Sequence, residues 1–405
     1  MKNKVMVSGI GILSSSGRTP EECWSSLIQK HCSTNHDERI KNAAISICNP
    51  ITGFNPDKHL KKSLIWRTDP FIHYALYAAN EAIKDSGIIL SQENERIGIV
   101  LGNSLGGITT IEHLTERASK EGLGTIGSAY ILSTMASMAV GNIAIELGIT
   151  GPTYTIGTAC ASGTDAIGVA KGLIESGECS VVLAGASEAP ITSMVVSAFS
   201  RIGALSKNVD PKTASRPFDV NRDGFVISEG AAVVVLESEE HALQRNASIY
   251  AQVTGYGSAN DANHVTSPAN DGFGLRNSIT AALVDASLTA GQIDCINAHG
   301  TSTSLNDQIE GQVLASVFGN STYVTSTKGV TGHCLAASGA LEAVFSILKI
   351  RHQRIPPVAG LKVIDPNINL KIPMDVVYDK CIQHVLSNSI GFGGQNASII
   401  FSQYH

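Results

Sequence analysis

The sequence predicts an α/β fold with buried sheets, and three observations carry that reading. Short apolar, β-branched runs alternate with helical stretches along all 405 residues, the pattern of strands covered by helices. Only 16% of residues are charged, against roughly 25% in an ordinary soluble domain, so the chain has ample apolar material to bury and is not disordered. The chain also echoes itself. Thr158-Ala-Cys-Ala-Ser-Gly-Thr-Asp-Ala166 and His333-Cys-Leu-Ala-Ala-Ser-Gly-Ala-Leu-Glu-Ala343 share Ala-Ser-Gly ahead of a small-residue helix start. They lie nearly half a chain apart, as a duplicated α/β half requires.

The elements follow in order. Residues 4–8 read as a buried first strand ending in a glycine turn. They are not a leader, because Val5, Met6 and Val7 are followed at once by Ser8 and Gly9, short of the ~7–15 apolar residues of a signal peptide. A helix is expected over Pro70–Ser86, then strands at 96–101 and Thr153–Ile156 and a helix over 162–178. Strands at 180–183 and 231–236 come next, then a helix over 274–286 and strands at 294–298 and 322–326. A helix over 340–352 and a strand at 398–401 close the pattern. No segment reaches the ~18 apolar residues of a membrane-spanning helix. The eight cysteines show neither CxxC pairs nor framework spacing, which reads as reduced thiols of a cytoplasmic protein. A net charge of −6 gives no case for nucleic acid or an anionic membrane.

Four places could carry chemistry. Gly102-Asn-Ser104-Leu-Gly106 follows a strand and matches the G-x-S-x-G elbow, so a serine hydrolase using Ser104 is one reading, against a plain glycine-rich turn. Cys160 sits between a strand and a helix N-terminus, where the dipole and free N–H groups favour thiolate, and its small neighbours leave room for a substrate. His299-Gly-Thr301-Ser-Thr303 follows a strand's carboxyl end, where α/β ligand sites gather. Lys328-Gly-Val-Thr-Gly-His333 has the same placement. Metal binding is not expected, since these residues lack close ligand spacings. Gly9-Ile-Gly11 and Gly255-Tyr-Gly257 lack the third glycine of a dinucleotide fingerprint, and there is no P-loop lysine, so no nucleotide cofactor is expected.

Together these residues resemble the elongating β-ketoacyl-acyl carrier protein synthases, members of the thiolase-fold condensing enzymes. The resemblance runs from Val7-Ser-Gly-Ile-Gly-Ile-Leu13 to Asn388-Ser-Ile-Gly-Phe-Gly-Gly-Gln-Asn396. It includes Ser215-Arg-Pro-Phe-Asp219, Arg222-Asp-Gly-Phe225 and Glu229-Gly-Ala231. It implies a thiolase-like fold with two duplicated halves in a five-layer α/β/α/β/α arrangement. Residues 1–245 would carry Cys160 and insertions; residues 246–405 would carry His299, Lys328, His333 and the 391–394 loop. It further implies that Cys160 is the acyl-accepting nucleophile, and that His299 and His333 assist malonyl decarboxylation and stabilise the enolate through Nε2. The backbone N–H groups of Cys160 and Phe392 would form the oxyanion hole, with Phe392 also gating. Lys328 would order the histidines and Glu342 pair with it, while Thr301 and Thr303 hold the phosphopantetheine arm. No cofactor beyond that carrier arm is implied. Initiating synthases have asparagine where His333 stands, thiolases use a second cysteine, and chain-length factors commonly have glutamine at Cys160.

The implied partner is an acyl carrier protein, docked on Lys58, Lys61, Lys62 and Arg67, although Gly203 stands where fatty-acid relatives often use an arginine. The implied assembly is a homodimer paired near Thr153–Ile156, or a heterodimer with a chain-length-factor-like subunit. Decarboxylative condensation in fatty-acid elongation is the reading. A ketosynthase subunit of a type II polyketide synthase is the alternative, favoured by Ala186-Ser-Glu-Ala-Pro-Ile-Thr192.

Overall fold

The computed structural model describes residues 2–90 and 96–405. Ten strands make the main sheet: β1 (Val5–Ser14), β2 (Ile97–Gly102), β3 (Thr153–Ile156), β4 (Val181–Glu188), β5 (Gly230–Ser238), β6 (Ala251–Asn260), β7 (Cys295–Asn297), β8 (Tyr323–Thr325), β9 (His384–Gly391) and β10 (Gln395–Ser402). Their order is β3-β2-β4-β5-β1-β6-β10-β9-β7-β8. Within each group of five, the order is third, second, fourth, fifth, first. The senses match too: β2 is parallel to β3 and β4, as β7 is to β8 and β9, and the remaining pairs are antiparallel. Among the described residues, only Met6↔Gln252 and Val7↔Ala251 pair the two groups. The internal echo is therefore a true duplication.

Five helices frame the sheets: α1 (Pro70–Ser86), α2 (Ser162–Glu175), α3 (Phe273–Ala286), α4 (Ser304–Phe318) and α5 (Ser338–His352). The period-2 alternation of strand side chains sorts them into layers. On β5, Val233 and Val235 join α1 in an outer core, while Ala232, Val234 and Leu236 face a central core with α2 and α5. Val385, Ile399 and Phe401 reach the same central core from the second sheet, and Leu386 and Ile400 turn outward to α3 and α4. The result is the expected α/β/α/β/α stack, with α2 and α5 sandwiched in the middle.

The glycine pairs that failed as a dinucleotide fingerprint have a packing reason. A Cβ on Gly9 or Gly11 would come within 2.4 Å of Ala82 O or 2.0 Å of Ala78 O on α1. A Cβ on Gly255 or Gly257 would meet Ala282 O or Ser278 O on α3, each at 2.2 Å. The two halves thus seat their outer helices on bare strand backbone in the same way. Strands β6 and β9 escaped the sequence reading because these glycines, and the buried Ser387, Asn388 and Ser389, interrupt the apolar pattern. The Ser389 hydroxyl pairs with that of Thr164 at 2.8 Å and Asn388 Oδ1 accepts from the Ser398 hydroxyl at 2.9 Å, while Asn388 Nδ2 and the Ser387 hydroxyl have no partner among the described residues. The segment 32–56 is tied down by Arg39, which forks onto the buried Glu229 at 2.9 Å through its two terminal guanidinium nitrogens.

Candidate active site

The duplicated motifs meet at the centre. In each half a tight turn precedes the central helix: Ala159 and Leu335 both adopt left-handed φ, 49° and 48°, which costs a non-glycine residue roughly 1–2 kcal/mol. A Cβ on Gly163 would lie 2.7 Å from Ala340 N, and one on Gly339 would lie 2.3 Å from Thr164 Oγ1. Both Ala-Ser-Gly glycines are therefore needed to bring α2 and α5 together, N-terminus against N-terminus. That contact sets Cys160, at the head of α2, against the turn that carries His333.

His299 leaves the end of β7 with its backbone fixed. Its N–H and that of Gly300 both donate to the buried Glu310 of α4, at 2.8 Å each. His333 is held by donation of its N–H to Val226 O (2.8 Å) and by acceptance from Ser228 N–H (3.0 Å). The two imidazoles stand edge to face with centroids 5.3 Å apart, and Phe225 packs edge-on against His333 at 5.0 Å. Lys328 follows β8. Its ammonium forms an ion pair with Glu342, donates to His299 O at 2.6 Å and lies 3.4 Å from His299 Nδ1.

The hydrogen-bond partners favour one tautomer at each ring. Lys328 Nζ is a donor only, so His299 Nδ1 accepts. Ser338 Oγ accepts the Cys334 N–H at 3.0 Å and lies 2.9 Å from His333 Nδ1, an arrangement that suits donation of its own proton to Nδ1. Burial, reinforced by the Lys328 charge, holds both histidines well below their ordinary pKa of 6.5. Their surroundings therefore hold both rings neutral, and their Nδ1 partners favour the tautomer with the proton on Nε2.

Cys160 departs from the thiolate expectation. Desolvation pushes its thiol up to about 12, outweighing the Lys328 charge and a hydrogen bond from the Phe392 backbone N–H. The residue is half-buried and borders open space. One cavity beside it is lined by His299, His333, Thr301, Thr303, Phe225 and Phe392. A second is lined by Leu105, Ala159, Phe199, Leu335 and Phe392. Cys160 lines both. Gly391 lets the Phe392 loop approach, since a Cβ there would sit 2.7 Å from Thr158 O.

Of the residues singled out from sequence, Cys160, His299, His333, Lys328, Glu342, Phe392, Thr301 and Thr303 converge here, with the two threonine hydroxyls 2.9 Å apart. Lys58, Lys61, Lys62 and Arg67 instead form an exposed segment that lines neither cavity, beside the fully projecting Trp66. Lys61 pairs with Glu146 at 2.9 Å. Ser104 is not an elbow serine: its hydroxyl and N–H bond the buried Glu188, and no histidine bonds it among the described residues. Sequence reasoning missed Glu310 and Ser338. The repeated Ala-Ser-Gly contained the signal for Ser338; Glu310 acts on backbone and carries no motif.

Comparison with known proteins decides the family. The profile of the β-ketoacyl synthase N-terminal domain matches residues 2–242, and that of the C-terminal domain matches residues 250–362. The chain belongs to the β-ketoacyl synthase family. It is accordingly an acyl-transferring condensing enzyme with the thiolase-like fold. The 3-oxoacyl-[acyl-carrier-protein] synthase 2 of Staphylococcus aureus (strain COL) is 36% identical over 407 residues, covering 99% of this chain and 98% of that one. Its counterpart from Vibrio cholerae is 35% identical over 411 residues, covering 99% of each. Among solved structures, the ishigamide ketosynthase/chain length factor superposes with a TM-score of 0.94 at 31% identity, covering 100% of both chains. A type II polyketide ketosynthase bound to a hexaketide and in complex with its acyl-carrier protein gives 0.92 at 31%, again with 100% coverage of both. Among the described residues, no helix is long and apolar enough to cross a membrane.

Proposed function

We propose that this β-ketoacyl synthase condenses an acyl group held on Cys160 with malonyl-acyl carrier protein, releasing carbon dioxide, in fatty-acid elongation. The observation that carries the reading is the pair of buried imidazoles lining the cavity that Cys160 shares, each with Nδ1 beside a group that can donate to it, Lys328 Nζ or Ser338 Oγ, which leaves Nε2 to carry the N–H. In the first half-reaction the Cys160 sulfur attacks a carrier thioester and gives up its proton to the departing carrier thiol. The backbone N–H groups of Cys160 and Phe392 donate to the oxyanion. The acyl chain takes the apolar cavity beside Leu105 and Phe199, and the incoming pantetheine arm passes Thr301 and Thr303. In the second, the malonyl C–C bond breaks and its electron pair moves into the thioester as an enolate. Two neutral Nε2–H donors favour the enolate oxygen and leave the neutral ground-state carbonyl less stabilised. The enolate carbon then attacks acyl-Cys160, and the sulfur leaves as thiolate and takes one proton from solvent. No cofactor beyond the carrier arm takes part.

Lys58, Lys61, Lys62 and Arg67 suit an acidic carrier protein. The exposed edge strand β3 and the apolar side chains Leu132, Met135, Ile145 and Tyr154 near it suit a protein partner, either a second copy or a chain-length-factor-like subunit. The superposition on ketosynthase/chain-length-factor structures favours the polyketide alternative, and expression alone against co-expression with such a subunit separates the two. Eight free thiols suit the cytoplasm. Cys160→Ala is expected to abolish acyl transfer from an acyl carrier, and retained transfer would overturn the mechanism. Cys160→Gln is expected to release carbon dioxide from malonyl carrier without condensing it.

A further inference from the structure

Lys349 is a buried cation that this chemistry leaves unused. It lies on α5 two turns beyond Glu342 with no exposed surface. Its ammonium donates to Asn297 Oδ1 at 2.8 Å and to Thr325 Oγ1 at 3.0 Å. Both acceptors are neutral. Enclosing an ammonium on neutral partners is unfavourable compared with an apolar side chain of the same length, so stability does not account for a lysine here.

The location does. Asn297 ends β7 and Thr325 ends β8, and the two are register partners on adjacent parallel strands. Two residues after Asn297 comes His299; three after Thr325 comes Lys328. Beyond the strand ends, Lys328 in turn reaches back to His299 O. The ammonium thus bridges the two strands at the last point before they release the site residues. The charged or titratable groups that influence it are Glu342, on its own helix, and the Cys295 thiol, on β7.

We propose that Lys349 is a positioning residue for the decarboxylation half-reaction: it straps the ends of β7 and β8 so that His299 and Lys328 emerge in register. The proposal rests on the reaction assigned above. It places the effect on His299 and not on Cys160, whose turn belongs to the other half of the fold.

The test compares wild type, Lys349→Met, Lys349→Ala and Thr325→Val, all full length, in two assays: carbon dioxide release from malonyl carrier and acylation of Cys160. For Lys349→Met the decarboxylation kcat is expected to fall at least about tenfold, with KM and acylation changed less than about threefold. Thr325→Val, which keeps the shape and removes one acceptor, is expected to lose about three- to fivefold in decarboxylation alone. Methylammonium is expected to restore activity to Lys349→Ala, while tetramethylammonium, which has no N–H, does not. Wild-type decarboxylation in Lys349→Met or Thr325→Val overturns the proposal, as does an equal loss in both assays without rescue by amine. Absence of decarboxylation in the wild type instead overturns the assigned reaction, and the strap with it.

Discussion

Ser338→Ala isolates the tautomer of His333 from its presence. The substitution removes one donor to Nδ1 and one acceptor for the Cys334 N–H, and leaves the ring, its backbone anchors and Phe225 in place. A neutral hydrogen bond of about 1 kcal/mol corresponds to roughly a fivefold preference. The Nε2–H tautomer is therefore expected to lose about that much advantage, and decarboxylation to slow about five- to tenfold. Truncating the ring itself, as His333→Ala, removes a donor to the developing oxyanion and is expected to cost about 10²–10³. Orphaning the buried Cys334 N–H adds about 1–3 kcal/mol of lost stability, visible in denaturant melts. Acylation of Cys160, whose oxyanion donors are backbone groups, is expected to stay within about twofold of wild type. The assay is carbon dioxide release in the Cys160→Gln background, with ¹⁵N NMR of the His333 ring reporting which nitrogen holds the proton. Wild-type decarboxylation in Ser338→Ala, combined with the large loss in His333→Ala, would refute the tautomer argument.

Other outcomes follow from the same geometry. With its thiol pushed up to about 12, Cys160 is expected to alkylate about tenfold faster per pH unit between 7 and 10; a plateau near pH 7 would show a resting thiolate. Because burial and Lys328 hold His299 and His333 below 6.5, neither takes a proton between pH 8 and about 6.5, and the acid limb of decarboxylation lies well below that range. An NMR titration showing either ring charging near 6.5 contradicts this. Gly163→Ala forces a Cβ to within 2.7 Å of Ala340 N and is expected to destabilise by about 1–3 kcal/mol, read as a lower Tm; an unchanged Tm would mean that α2 and α5 can separate freely. Charge reversal at Lys62 and Arg67 is expected to raise KM for the acyl carrier and leave kcat unchanged, and a kcat-only effect would remove this surface from docking.

Much of the site was legible because the chemistry-bearing residues fall at strand-to-helix junctions, where an α/β sheet presents ligands. Cys160, His299, Lys328 and His333 all do so, and the repeated Ala-Ser-Gly pointed to the duplication that joins them. Residues that act on backbone or on other side chains were harder to see. Glu310 serves two N–H groups and has no periodicity to betray it. Lys349 falls within the helix expected over 340–352, and only the third dimension shows that its ammonium spans two strands. The thiolate expectation failed because a helix N-terminus is a local feature, while desolvation depends on everything packed around the sulfur. Strands β6 and β9 were hidden by the glycines and buried serines that the duplicated packing itself demands.

Intact mass measurement of the chain during one turnover tests the central claim most directly. Incubation with an acyl carrier is expected to add one acyl group, mapped to Cys160. Subsequent malonyl carrier is expected to discharge it, with one equivalent of carbon dioxide and a two-carbon-longer β-ketoacyl carrier. An acyl group found on any other residue, or discharge to free acid with no extended product, would contradict the account.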